Sequence, residues 1–100
     1  MPGIEDAIAE QLLLRIRHLL LTDEYPAAIS LCWSLLDVAP EMQPLVIGDL
    51  TLALRNWGES LSDDEDIEDK ALLMENYHKA VCFFPDSELL KNNMGGFLFK

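Results

Sequence analysis

The sequence predicts an all-α fold of about five helices, paired antiparallel. Three observations carry this. Apolar residues recur at three- and four-residue spacing along most of the chain, as one buried face of a 3.6-residue helix requires. Sustained apolar–polar alternation, the mark of a half-buried strand, is never found. A helix-pair pattern closed by proline ends at Pro40 and again at Pro85, and its opening returns over 92–99. The short turns between helices favour antiparallel neighbours.

The first helix starts at Ile4, since Pro2-Gly3 opens a helix poorly. Ile8, Leu12, Ile16, Leu19 and Leu20 form its apolar stripe, and Arg15, Arg17 and His18 its polar face. Thr22 to Glu24 break the run. Pro26 suits the first turn of a second helix, where its missing N–H is no loss. That helix runs to about Asp37, because Ala39 is pushed out of the helical region by Pro40. A third helix starts between Glu41 and Pro44, with Leu50, Leu54, Trp57 and Leu61 on one face. Gly48 inside it costs about 1 kcal/mol against alanine, so another helix is expected to approach closely there. The acidic stretch 62–69 is read as a loop or a helix start. The fourth helix covers Ile67 to Phe83. Asp86 or Ser87 caps a fifth, with Glu88 in its first turn, running to Lys100. One domain is expected over 1–100: helix pairs at about 4–38 and 42–84, and an unpaired helix over 87–100.

Composition narrows the function. With 18 acidic residues against seven Lys and Arg, the chain carries a net charge of −11. No basic stripe exists to neutralise phosphates, so nucleic acid is excluded as a partner, and anionic membrane surfaces equally. Proteins or peptides, basic ones above all, are the sensible partners. No uninterrupted apolar segment is long enough to span a membrane, and no basic region opens the chain as in a signal peptide. Cytoplasm or nucleus follows by default. Cys32 and Cys82 each lie in an apolar helical stretch and read as small buried hydrophobes in a reducing compartment.

Candidate chemical sites weigh little against structural readings. Gly95-Gly96 lacks the preceding strand and the Lys-Ser/Thr of a phosphate loop, so close helix packing is expected there. The acidic run lacks the central glycine of a calcium loop and reads as solvated. Ser60 and Ser62, each followed by acidic residues, are candidate phosphorylation positions. His18 and His78 lack convergent ligands for a metal. Trp57 shares a face with Leu54 and Leu61 and reads as core, whereas Trp33 lies off the Ile29–Cys32–Leu36 stripe and is a candidate partner contact. No catalytic, metal or cofactor-binding residue is assigned.

These helix pairs resemble tetratricopeptide repeats. In that family a small residue in each second helix lets two helices approach, an aromatic or apolar residue follows, and a proline closes the unit. The first unit supplies Ala28, Cys32, Leu35 and Pro40, the second Leu73, Tyr77, Ala80 and Pro85, and the third opens with Asn93, Met94 and Gly95. Leu35 and Leu73 stand where the family has smaller residues, and the acidic segment looks like an insertion. The resemblance implies helix pairs stacked as a right-handed superhelix of about two and a half repeats, a protein-interaction module whose first helices line a groove. Arg15, His18, Trp33, Arg55 and Asn93 are the partner contacts expected on that basis.

A narrower resemblance covers Tyr25 through Pro40, Leu54-Arg-Asn-Trp-Gly-Glu-Ser-Leu61, and Tyr77 through Glu88 followed by Asn93-Met-Gly and Leu98-Phe99. These segments are similar to the N-terminal repeat region of the protein arginine methyltransferase nine family. That implies a parent enzyme that transfers methyl groups from S-adenosylmethionine to arginine, with a splicing-factor subunit as substrate. The cofactor loop and the substrate-binding glutamates of that family are absent from this chain, which is therefore expected to be a non-enzymatic piece of something longer. Two alternatives stand beside it: a module that self-associates through the unpaired C-terminal helix, and a purely structural helical domain of an unrelated scaffold.

Overall fold

The computed structural model describes residues 4–61 and 67–98. It contains α1 (Ile4–Leu21), α2 (Tyr25–Val38), a 3-10 turn (Pro40–Met42), α3 (Gln43–Ser60), α4 (Ile67–Phe83) and α5 (Glu88–Leu98), with no strand among the described residues. The all-α expectation holds, and the helix boundaries fall within a few residues of those read from the sequence. Glu68 and Asp69, assigned to the acidic loop, sit in the first turn of α4, where carboxylates face the positive end of the helix dipole. The remainder of the acidic run, with Ser62, lies outside the described residues, as does Lys100. The chain forms two units, 1–53 and 54–100.

In the first unit α1 packs against α2. The turn between them is a left-handed helix stop. Asp23 has φ 62°, its N–H donates to the Leu20 carbonyl at 3.3 Å, and the Glu24 N–H reaches back to Leu19 at 2.9 Å. These two bonds satisfy carbonyls that the end of α1 would leave bare. The left-handed conformation costs an aspartate less than most side chains, and its carboxylate accepts the Tyr25 hydroxyl at 2.7 Å. Pro26 lies in the first turn of α2. At the far end of α2, Ala39 leaves helical space before Pro40, and its N–H closes on Leu35 at 2.8 Å.

The buried face of α2 is Ala28, Ile29, Cys32, Leu35 and Leu36. α1 contributes Ala9 and Ile16, and α3 contributes Val46, Leu50, Thr51 and Ala53. Thr51 is satisfied within its own helix, its hydroxyl donating to the Ile47 carbonyl at 2.6 Å. Ile8, assigned to the buried stripe of α1, is instead 42% exposed, and Ala9 takes its place. A step from Ile8 to buried Ile16 turns the helix by about 80°, enough to carry Ile8 off the inner face. The expected close approach at Gly48 is also absent: a Cβ there would have no neighbour within 4 Å. Gly48 lies two residues from buried Val46, a turn of about 200°, and so faces away from the core.

In the second unit α4 packs against α5. Leu73, Tyr77, Ala80 and Phe84 form its inner stripe, joined by Leu54 and Trp57 from α3 and Leu90 from α5. Ser87 is the residue that caps α5, accepting the Leu90 N–H at 3.2 Å on its hydroxyl. Cys82, read as buried, is exposed. It too lies two residues from a buried alanine, Ala80, and therefore on the opposite side of α4. Gly95 and Gly96 do not mediate close packing either, since a Cβ on either would meet nothing within 4 Å.

The two alanines on which the helix-pair reading rests, Ala28 and Ala80, are both fully buried. Cys32, Leu35, Leu73 and Tyr77 are buried with them, Met94 is half-buried, and Pro40 and Pro85 stand exposed where their helices end.

Candidate functional site

A cleft of about 220 Å³ opens in the second unit, lined by Arg55, Gly58 and Glu59 of α3, Tyr77 of α4, and Asn92, Asn93 and Gly96 of α5. Helical spacing places these groups together. Arg55 and Glu59 are four residues apart on α3, and the arginine Nε donates to the carboxylate at 3.3 Å. Both side chains are exposed, so the pair adds little to stability and remains open to other partners. Asn92, Asn93 and Gly96 share one turn of α5.

Tyr77 forms the floor. It is nearly fully buried, and its phenol is pushed up to about 12 from 10.0, first by burial, then by the Glu59 carboxylate, against an opposing pull from Arg55. At neutral pH it is a neutral phenol. Asn93 is the anomaly. Its amide nitrogen is buried and has no hydrogen-bond partner, although unpaired buried donors cost about 1–3 kcal/mol each and most native polar groups avoid that cost.

A second concavity, of about 450 Å³, lies in the first unit, lined by Gln11, Leu14, Arg15, His18 and Leu19 of α1 and by Glu24 in the turn that follows. Elsewhere in this unit Arg17 lies 3.6 Å from Asp49 Oδ2 of α3, a buried oxygen that has no hydrogen bond. Asp49 in turn helps burial, the larger cause, to push the Cys32 thiol up to about 12 from 9.0. Cys32 is thus an inert, buried thiol.

The five expected partner contacts therefore divide. Arg55 and Asn93 meet in the cleft of the second unit, and Arg15 and His18 meet in the concavity of the first. Trp33 is half-buried and lines neither. Sequence reasoning missed Gly58, Glu59, Asn92 and Gly96 in the cleft, and Gln11, Leu14 and Glu24 in the concavity. Glu59 was within reach through its four-residue spacing from Arg55, and Leu14 through its seven-residue spacing from Leu21. Among the described residues no group of three or more His, Cys, Asp or Glu side chains could hold a metal ion, and no helix is long and apolar enough to cross a membrane.

No family model, curated protein or solved structure matches this chain.

Proposed function

We propose that this chain is a protein-interaction module of tetratricopeptide type, and that the cleft of its second unit receives a segment of a partner protein. The observation that carries the reading is the buried, unpartnered amide of Asn93 beside that cleft. A hydrogen-bond donor left unpaired inside a folded domain is a strained investment in the free state, and a carbonyl from a docked segment would relieve it after a small rotation of the side chain. The cleft is smaller than the roughly 300–1,000 Å³ of pockets that enclose small molecules, which suits one or two side chains of a longer ligand. Its walls provide amides for main-chain carbonyls and Glu59 for a cation. The net charge of −11 draws basic segments toward the molecule. The resemblance to the arginine methyltransferase nine family gives such a segment a destination: an arginine-bearing substrate, delivered to an S-adenosylmethionine-dependent enzyme of which this module is the docking part.

The test is a titration of the isotope-labelled chain with a synthetic arginine-rich peptide, followed residue by residue by NMR, with a glutamate-rich peptide as control. Shifts centred on Arg55, Tyr77 and Asn93 with the basic peptide, lost in Asn93→Ala and Glu59→Gln, support the reading. Unmoved signals at those residues with both peptides would refute it.

A further inference from the structure

The exposed face of α1 carries a second association surface, of a different kind from the cleft and independent of it. Gln11, Leu14, Arg15, His18 and Leu21 fall within about 120° of helix circumference. Leu14 is 61% exposed and Leu21 84%, and neither belongs to the stripe buried against α2. Two apolar side chains seven residues apart, flanked by polar ones, form a seam that a facing helix can cover.

The charges on this seam indicate what covers it. Leu14, Arg15 and His18 line the same concavity as Glu24. The cation lies beside Leu14 at the N-terminal end of the seam, and the anion lies in the turn that closes its C-terminal end, where the Glu24 N–H donates to the Leu19 carbonyl. A surface with a cation and an anion displaced along one axis is complementary to itself after a half-turn. If a second α1 lies antiparallel with the two-fold axis midway between Leu14 and Leu21, each Leu14 sits level with Leu21 of the other copy. Arg15 of one copy then faces the C-terminal turn of the other, where Glu24 folds back toward Leu19, and the pair is made twice. Isologous contacts have this property of one patch serving both sides.

We infer that two copies of this chain associate through an antiparallel, two-fold pairing of the Leu14–Leu21 face of α1, locked at each end by an Arg15–Glu24 ion pair. The alternative reading of the sequence put self-association on the C-terminal helix; this pairing puts it on α1 instead. The long-range repulsion between two acidic chains opposes the contact, so it is to be measured at about 0.15 M salt, where charges more than about 8 Å apart are screened.

Sedimentation equilibrium of the full chain at pH 8, over a concentration series from micromolar to about millimolar, reads the result. A reversible monomer–dimer equilibrium is expected. Leu14→Glu with Leu21→Glu abolishes it while circular dichroism keeps the helical signal. Arg15→Glu alone and Glu24→Arg alone each weaken dimerisation about tenfold, because each sets like charges against one another at both ends. The chain bearing both reversals regains dimerisation, since the two-fold restores opposite charges across the contact. A strict monomer at the highest concentration overturns the inference. So does a dimer indifferent to the leucine replacements, or one in which the double reversal is weaker than both single ones.

Discussion

Among the described residues each unit of this molecule holds one buried side-chain polar atom without a hydrogen bond, and the two differ in what lies beside it. In the first, Asp49 Oδ2 is buried without a hydrogen bond but has a charge partner close by. The end of α1 is closed by the Asp23 and Glu24 amides, the Thr51 hydroxyl bonds within its own helix, and the Asp49 carboxylate lies 3.6 Å from Arg17. In the second unit the atom is the Asn93 amide nitrogen, a donor left unsatisfied beside an open cleft. Stable packing and binding competence make different demands, because a surface that has satisfied all its own donors has little left to offer a partner. On the proposed reading the second unit is the receptor, because its unsatisfied atom is a donor beside a cleft.

The hardest test of this comparison is applied to the cores. Leu35 in the first unit and Leu73 in the second are both fully buried. Truncation of either to alanine is expected to cost about 2–5 kcal/mol, the transfer loss plus a cavity. Urea unfolding followed separately through Trp33 and Trp57, one tryptophan in each unit, reads where the loss is felt. If Leu35→Ala lowers the Trp33 midpoint and leaves Trp57 in place, the units unfold separately. If both midpoints fall together, the shared helix α3 makes the chain one cooperative body. A loss well under 1 kcal/mol at either leucine contradicts its burial.

Alkaline pH separates the units by chemistry. Both Cys32 and Tyr77 have their pKa raised in the folded state, to about 12 from 9.0 and 10.0. As pH climbs past the unfolded value, the unfolded chain gives up its proton while the folded chain holds it, so the unfolded state gains. The associated stability is intact below pH 9 for the thiol and below pH 10 for the phenol, and is lost as pH rises toward 12. Cys32→Ala is expected to flatten the decline that begins near pH 9, and Tyr77→Phe the part that begins near pH 10. Denaturant midpoints measured at half-unit intervals between pH 8 and 12 give the two slopes. Unchanged slopes in both variants mean that neither group is held in its neutral form.

The cleft predicts a trade. Asn93→Leu removes the unpaired amide and keeps the side chain's size, so stability is expected to rise by about 1 kcal/mol, the low end of what an unsatisfied buried donor costs. The same change is expected to weaken peptide docking. Gains of this kind that impair function are usual where a site has been kept under strain. Thermal unfolding and the peptide titration on one sample give both readouts. A destabilised Asn93→Leu would mean that the amide already has a partner in the folded chain.

Much of this was legible from periodicity and proline placement. Pro26 marked the start of α2 and Pro40 its end, and Leu73, Tyr77 and Ala80, read as repeat-packing positions, are buried. The errors have a single geometric source. Cys82 was placed by the apolar character of its segment, although it lies about 200° around the helix from Ala80, and Gly48 stands in the same relation to Val46. An angular reading of each helix corrects both. The cleft was less accessible to sequence reasoning, because three separate segments meet there. Arg55 and Asn93 could be named singly, but that Gly58 and Gly96 leave room between them is a property of the folded unit.

The smallest effect expected is also the most direct check of that angular argument. Gly48 and Gly96 are both helical, and neither has a neighbour within 4 Å of where a Cβ would stand. Alanine at Gly48 is expected to stabilise the first unit by about 0.5–1 kcal/mol, because the unfolded chain loses freedom and the helix gains propensity without a clash. Alanine at Gly96 is expected to stabilise the second unit by less, since it lies near the end of α5, where helices fray, and to obstruct the peptide because Gly96 lines the cleft. A loss of stability in Gly48→Ala would show that a helix does approach there, as close-packing logic first suggested. A gain at Gly48 with docking unaffected, beside impaired docking at Gly96, would assign the open space to binding in the second unit alone.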